Sequence, residues 1–217
     1  MLTILLITIP GLYLLFLLTR KTKWAFDART SRTLRIFHFG ILALLILLSF
    51  LAKNNIYLRG YWTTKIIIWI FLITAIILFA FGHRPRQRKT ERLYYGVFFY
   101  TPLVLIPISF IPFFGSAILL TIYGFTIGDS SAINYADSKY RLQHTYRGFL
   151  APATAPDLFI KSGLLEHKED PLTIHYYGSD SIKINELGGN KIEIEFYNKE
   201  QSIDQENPIK VIVELDD

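Results

Sequence analysis

Residues 93–125 hold no charged side chain over 33 consecutive positions, and that run constrains every other assignment in the chain. As one helix it would measure about 50 Å, against a bilayer hydrocarbon core of about 30 Å. Pro102, Pro107 and Pro112 recur every five residues within it. Each removes a backbone donor and crowds the preceding turn. Two readings follow. In the adopted one, residues 93–114 form one kinked span, Gly115 permits a bend, and 116–125 form a short apolar helix at the outer interface or a continuation above the membrane. In the other, two short spans make a tight hairpin and the chain turns back to the cytoplasm.

Three further apolar runs precede this one. Residues 2–19 are uncharged and long enough to cross a bilayer core. A cleaved signal peptide would carry basic residues before the run and a small-residue cleavage site after it. Here the basic residues follow the run, so an uncleaved helix is expected. The Pro10-Gly11 pair should kink it. The second run, 36–52, has one ionisable group, His38, near its start. The third, 62–82, opens on Trp62 beside Tyr61, where an interfacial aromatic belt would sit. Lys65 lies one turn inside and can snorkel to the head groups.

The connecting segments set an orientation. Residues 20–35 carry six Lys/Arg, 83–92 carry five and 53–61 carry two. Basic loops stay cytoplasmic, so the first and last of these are inside and the middle one is outside. With four spans, the N-terminus and the C-terminal domain both lie outside. The expected location is the inner (plasma) membrane.

Charge divides the chain as sharply as hydropathy does. Residues 1–126 hold 14 Lys/Arg and two acids, Asp27 and Glu91; residues 127–217 hold 9 Lys/Arg and 16 acids. The pI near 9.3 averages two unlike halves. Most basic residues sit in short loops between apolar runs, which argues for membrane orientation and against nucleic acid as a partner. There is no cysteine, which excludes disulfides, thiolate catalysis and cysteine-ligated zinc or iron–sulfur centres. No ionisable residue falls at the centre of an expected span, and no transporter-type repeat is visible. Proton relays, ion-coupled transport and voltage sensing call for such groups. Gly124 and Gly128 have helix-dimer spacing, but they stand where the apolar run ends.

The expected organisation is a helical membrane domain over 1–126, a linker over 127–156 and a small antiparallel β domain over 157–217. In the linker, one strand is expected near 140–146. Beyond Pro156, short extended runs are expected at 157–161, 164–168, 172–177, 181–187, 191–197 and 208–215. Ser162-Gly163 and Gly188-Gly189-Asn190 supply the turns, because glycine tolerates positive φ. Residues 191–197 alternate most clearly, with Ile192, Ile194 and Phe196 on one face and Lys191, Glu193 and Glu195 on the other. The product is a five- or six-stranded meander, a small sandwich or a partly open barrel.

Few residues suggest chemistry. His167 and His175, on neighbouring expected strands, with Glu166 or Asp170, have the residue types of a zinc site. Adjacent Glu166 and His167, however, point to opposite faces of a strand. His144 is the remaining histidine of this half. Glu193 and Glu195 share a face, but alternating charge is the usual pattern of a wet strand face. No nucleophile elbow, phosphate loop or metalloprotease motif occurs. No metal, cofactor or catalytic residue is therefore expected. The best contact patch is Tyr135, Tyr140, Arg141, Tyr146 and Arg147, since tyrosine and arginine are enriched at interfaces.

The composite expectation is an α-helical membrane bundle of four transmembrane helices followed by a small antiparallel β domain. It reads as a non-catalytic integral membrane protein whose acidic β domain binds another protein on the outer face. That partner is basic if charge complementarity governs the encounter. An accessory subunit of an envelope complex and a toxin-immunity protein both fit. The alternative is a small oligomeric pore with a sensing β domain, and conductance in liposomes separates the two.

Overall fold

The computed structural model describes residues 2–19, 25–60, 62–82, 88–109, 111, 115, 133–143, 156–169, 181–197 and 208–215. Among these described residues four helices are formed: α1 Leu2–Thr19, α2 Ala28–Lys53, α3 Thr63–Phe81 and α4 Lys89–Ser109. They lie where the four apolar runs predict them, with two shifts: α4 starts four residues before its expected run, at Lys89, and α2 moves further. α2 starts eight residues before the expected run, because Asp27 caps it. The Asp27 carboxylate accepts from the backbone N–H of Arg29 at 3.0 Å and of Thr30 at 3.4 Å. Arg29, Arg32 and Arg35, expected in a loop, therefore ride on the helix.

Among the described residues, two helices are long and apolar enough to cross a membrane, α2 and α3. Of the expected four transmembrane helices, four helices are present and two of them are candidate spans. α4 opens on Lys89, Glu91 and Arg92 and keeps Pro102 and Pro107 within its length. Prolines persist in such helices where neighbouring groups re-satisfy the freed carbonyls.

The chain divides into two compact units. In the helical unit, α3 supplies the centre. Ala75, Ile76, Leu78 and Phe81 are buried, with Tyr95 and Phe99 of α4. Phe16 of α1 meets Phe81 and Phe99 edge-on, and the Tyr13 hydroxyl donates to the Phe99 carbonyl. Gly96 lets α4 approach α3: a Cβ there would lie 3.2 Å from a Phe79 ring carbon. Gly96→Leu should therefore overpack this seam and destabilise the helical unit by roughly 1–3 kcal/mol. Thermal unfolding in detergent, followed by near-UV circular dichroism, reads it. An unchanged midpoint would show that the seam yields freely.

Among its described residues, the second unit holds eight strands in two antiparallel sheets. One has the order β1-β5-β4-β3-β2, built from Ile56–Leu58, Leu165–Lys168, Asp157–Ser162, Tyr140–Gln143 and Ile133–Ala136. The other has the order β6-β7-β8, from Ser181–Glu186, Lys191–Tyr197 and Ile209–Glu214. The sheets share one core. Tyr140, Leu142 and Leu158 pack with Ile192, Ile194 and Phe196, and Ile160, Ile182, Ile184, Val211 and Val213 close round them. The alternation predicted for 208–215 is observed, and that for 191–197 holds except at Glu195, expected on the wet face and buried here. Gly188, Gly189 and Asn190 all take positive φ in the turn between β6 and β7.

Three features depart from expectation. The segment between α2 and α3, read as a plain loop, contains β1. Asn55 ends α2 in the left-handed region at φ 58°, which asparagine tolerates, and the next residue enters the strand. β1 then pairs with β5, Ile56 opposite His167 and Leu58 opposite Leu165. The segment read as a linker contributes β2 as well as β3. The first hairpin turn is Gly163-Leu164, one residue later than expected, with Ser162 opposite Leu165 and Gly163 at φ 58°. The strand expected at 172–177 and the polar loop at 198–207 lie outside the described residues.

Candidate functional site

The predicted contact patch begins on β2 and β3. Tyr135 is half-buried and donates its hydroxyl to Asp137 Oδ2 at 2.6 Å, which raises its pKa to about 12. Asp137 organises the turn: its Oδ1 accepts from the backbone N–H of Lys139 and of Tyr140, both at 2.7 Å. Burial alone would raise this carboxyl. The Tyr135 hydroxyl and the two amides outweigh it and leave the pKa below the ordinary value. Tyr140 is buried in the shared core, its hydroxyl 3.2 Å from Glu186 Oε1. Arg141 is buried on the opposite face. Tyr146 and Arg147 lie outside the described residues, as do His144 and His175. Of the five patch residues, Tyr140 and Arg141 are thus committed to the interior of the β unit.

The burial of Arg141 reveals a polar assembly that the sequence reading did not anticipate. Strand pairing puts Arg141, Phe159 and Lys168 in one row of the five-stranded sheet and Lys161, Glu166 and Tyr57 in another. Both rows belong to the face opposite the shared core. Arg141 forms an ion pair with Glu166, through Nη2 to Oε2 and Nε to Oε1 at 3.4 Å. Glu166 has no solvent exposure and Arg141 has 6%. The guanidinium also lies 4.2 Å from the centre of the Phe159 ring. Lys168 Nζ stands 3.0 Å from the carboxylate of Asp157, which is buried. Arg141 Nη1 and Gln143 Oε1, two positions apart on β3, are buried without hydrogen-bond partners. One donor and one acceptor on a single strand face can take the carbonyl and N–H of an amide.

Such an assembly left a partial signal. Asp157, Phe159 and Lys161 alternate with Leu158 and Ile160, so β4 was legible as a strand. Nothing local showed that its polar face is buried as well. Glu166 of the considered zinc set belongs to this ion pair, and His167 sits on the other face, opposite Ile160. Glu193 and Glu195 share Lys210, at 3.4 Å and 2.8 Å. Hydrogen bonds from Lys210 and from the Tyr197 hydroxyl hold the Glu195 carboxyl below its ordinary pKa.

The helical unit holds a second polar cluster. His38, expected near the start of a span, is fully buried inside α2. Its Nδ1 lies 2.9 Å from Thr74 Oγ1 on α3 and its Nε2 lies 2.9 Å from the Tyr94 hydroxyl on α4. Thr74 donates its own proton to the Phe71 carbonyl at 2.9 Å. Thr74 Oγ1 therefore accepts from His38 Nδ1–H, while Nε2 shares a hydrogen bond with the Tyr94 hydroxyl. The ring stacks on Phe71 at 4.5 Å. One turn away, Arg35 pairs with Glu91 at 3.2 Å. Three helices are thus tied through one imidazole whose two nitrogens both have partners. Chemically this is interhelical bonding.

Comparison with protein-family models, curated proteins and solved structures finds no match to this chain.

Proposed function

We propose that this chain is a non-catalytic integral membrane protein that carries an acidic β unit on the outer face of the plasma (inner) membrane and binds another protein there. One observation carries the reading. β1 lies between α2 and α3, and it is a strand of the sheet built from β2–β5. Whichever side of the membrane holds the α2–α3 connection also holds the β unit. The two basic segments flanking this pair of helices favour the outer side for that connection. A chain that leaves α3 on the cytoplasmic side must then cross once more before β2. This supports α4 as a crossing helix and weighs against the turned-back hairpin. Four spans, with the N-terminus outside, complete the reading.

The described polar groups of the helical unit support an anchoring role, because His38, Thr74, Tyr94, Arg35 and Glu91 bond to one another across helices. The net acidity of residues 127–217 suits a basic partner, since complementary charge speeds and selects encounter. An envelope-complex subunit or an immunity protein facing an incoming toxin both satisfy this description.

The natural absence of cysteine makes the test clean. Asn54→Cys reports the α2–α3 connection, Leu187→Cys the β unit, and Lys89→Cys the start of α4. All three positions are exposed. An impermeant thiol reagent should label the first two in intact cells and the third only after lysis. Labelling that separates Asn54→Cys from Leu187→Cys would overturn the β1 argument. Protection of both until lysis would put the partner in the cytoplasm.

A further inference from the structure

We infer that the open edge of β8 pairs with β8 of a second copy of this chain, antiparallel, about a two-fold axis at Ile212. β8 is an end strand of its sheet, and among the described residues it pairs with β7 alone. The opposite end, β6, is engaged. Its Glu186 accepts from Lys139 Nζ at 2.8 Å and from the Tyr140 hydroxyl at 3.2 Å, so that end lies against the other sheet. At the β8 end the inward side chains are incompletely covered. Ile192 and Ile194 of β7 are fully buried, whereas Val211 and Val213 are only half-buried.

The backbone of β8 sets which groups that edge offers. The Leu215 N–H donates to the Asn190 carbonyl at 2.7 Å, on the β7 side. Alternate residues of an antiparallel strand bond to the same side. Ile209, Val211 and Val213 therefore bond towards β7, and the N–H and C=O groups of Lys210, Ile212 and Glu214 point out along the open edge. The register with β7 is unbroken from Ile209 to Glu214, with no bulge to twist the edge away, and Pro208 stands before the strand begins.

The side chains select a second copy as the occupant. The outward face of β8 reads Lys210, Ile212, Glu214, with Ile212 61% exposed between the charges. Charged residues on an edge ordinarily guard it against pairing. Here their order is self-matching: with Ile212 opposite Ile212, and only then, each Lys210 faces Glu214 of the other copy. The rest of the sheet continues the match. Lys183 lies opposite Glu195, and Glu195 opposite Lys210, whose Nζ is 2.8 Å away. Glu214 lies opposite Lys191 and forms an ion pair with it. One row across the joined sheets thus reads Lys183, Glu195, Lys210, then Glu214 and Lys191 of the second copy, alternating in sign at every step. Opposite charges directly across a strand pair are favourable and like charges are not. On the inner face the same register sets Val211 against Val213.

The inference concerns the β unit alone and holds whichever side of the membrane that unit occupies. The chain has no cysteine, so Ile212→Cys tests it in membranes isolated from cells that make the full chain. The Cα atoms of a hydrogen-bonded antiparallel pair lie about 5.5 Å apart, inside the disulfide range of about 4.4–6.8 Å. Mild oxidation should give a disulfide-linked dimer about tenfold faster than with Leu187→Cys, a comparably exposed position beside the β6–β7 turn. Adding Glu214→Lys sets lysine against lysine and should cut the rate to the Leu187→Cys level. Co-expressing that chain with one carrying Ile212→Cys and Lys210→Glu should restore it, because every lysine then meets a glutamate across the pair. Equal rates at Ile212→Cys and Leu187→Cys overturn the pairing. A rate that Glu214→Lys leaves unchanged, or that co-expression does not restore, overturns the register. A disulfide to a different protein in place of the dimer gives the edge to a partner's strand and overturns the second copy.

Discussion

Replacing Glu166 with alanine should make the amides of β3, β4 and β5 exchange with solvent faster by two orders of magnitude or more. The carboxylate is fully buried and is the ion partner of Arg141, which is itself nearly buried over Phe159. Truncation leaves a guanidinium with no countercharge in a place that water does not reach. Breaking a buried pair in this way costs about 3–5 kcal/mol, and each 1.4 kcal/mol is tenfold in an opening equilibrium. Hydrogen exchange read by mass spectrometry on the full chain in detergent resolves the effect strand by strand. The paired replacement Arg141→Leu with Glu166→Leu removes both charges together. It should recover most of the loss, because a buried pair is dear to break and cheap to replace whole. A Glu166→Ala variant with exchange within a few-fold of the parent would show that water already reaches this face.

The same pair marks where the sequence stopped being informative. Arginine among tyrosines reads as interface composition, and β3 alternates Tyr140 and Leu142 with Arg141 and Gln143. Period-two alternation separates the faces of a strand but does not say that both are covered. Here all four residues of β3 are buried, one face by the second sheet's side chains and the other within the ionic assembly. β1 was invisible for a different reason. Three residues, Ile-Tyr-Leu, are too short for any periodicity, and their partner strand begins more than a hundred positions later. His38 was seen but placed at a span's edge. The arginines before it look like loop until Asp27 is recognised as a helix cap. What did show was what local pattern controls. The helix-length apolar runs appear as α1–α4, and the alternation of 191–197 appears as β7 with Ile192, Ile194 and Phe196 inward. The Gly188-Gly189-Asn190 turn belongs with them, since its three positive φ values suit only such residues.

Phe196→Ala should cost the β unit about 3–5 kcal/mol, the range for deleting a buried aromatic side chain. Phe196 is 3% exposed on β7, the middle strand of its sheet, paired with Ile182 on one side and Ile209 on the other. It faces a core to which the five-stranded sheet contributes Tyr140, Leu142 and Leu158. Little can move in to refill the space, because β7 is held by hydrogen bonds along both edges. Ile212→Ala, on the outer face of the adjacent strand, removes an apolar side chain that is 61% exposed. It should change stability by no more than about 0.5 kcal/mol. The two variants separate burial from mere hydrophobicity within one sheet. They also test whether the two sheets open as one. If the shared core makes the unit cooperative, Phe196→Ala must speed exchange in β3 and β4 as much as in β7. Faster exchange confined to β6–β8 would mean that the five-stranded sheet stands without the other. A self-standing five-stranded sheet, tied through β1 to two candidate spans, would then be the rigid element, and the three-stranded sheet would be the part free to yield to a partner.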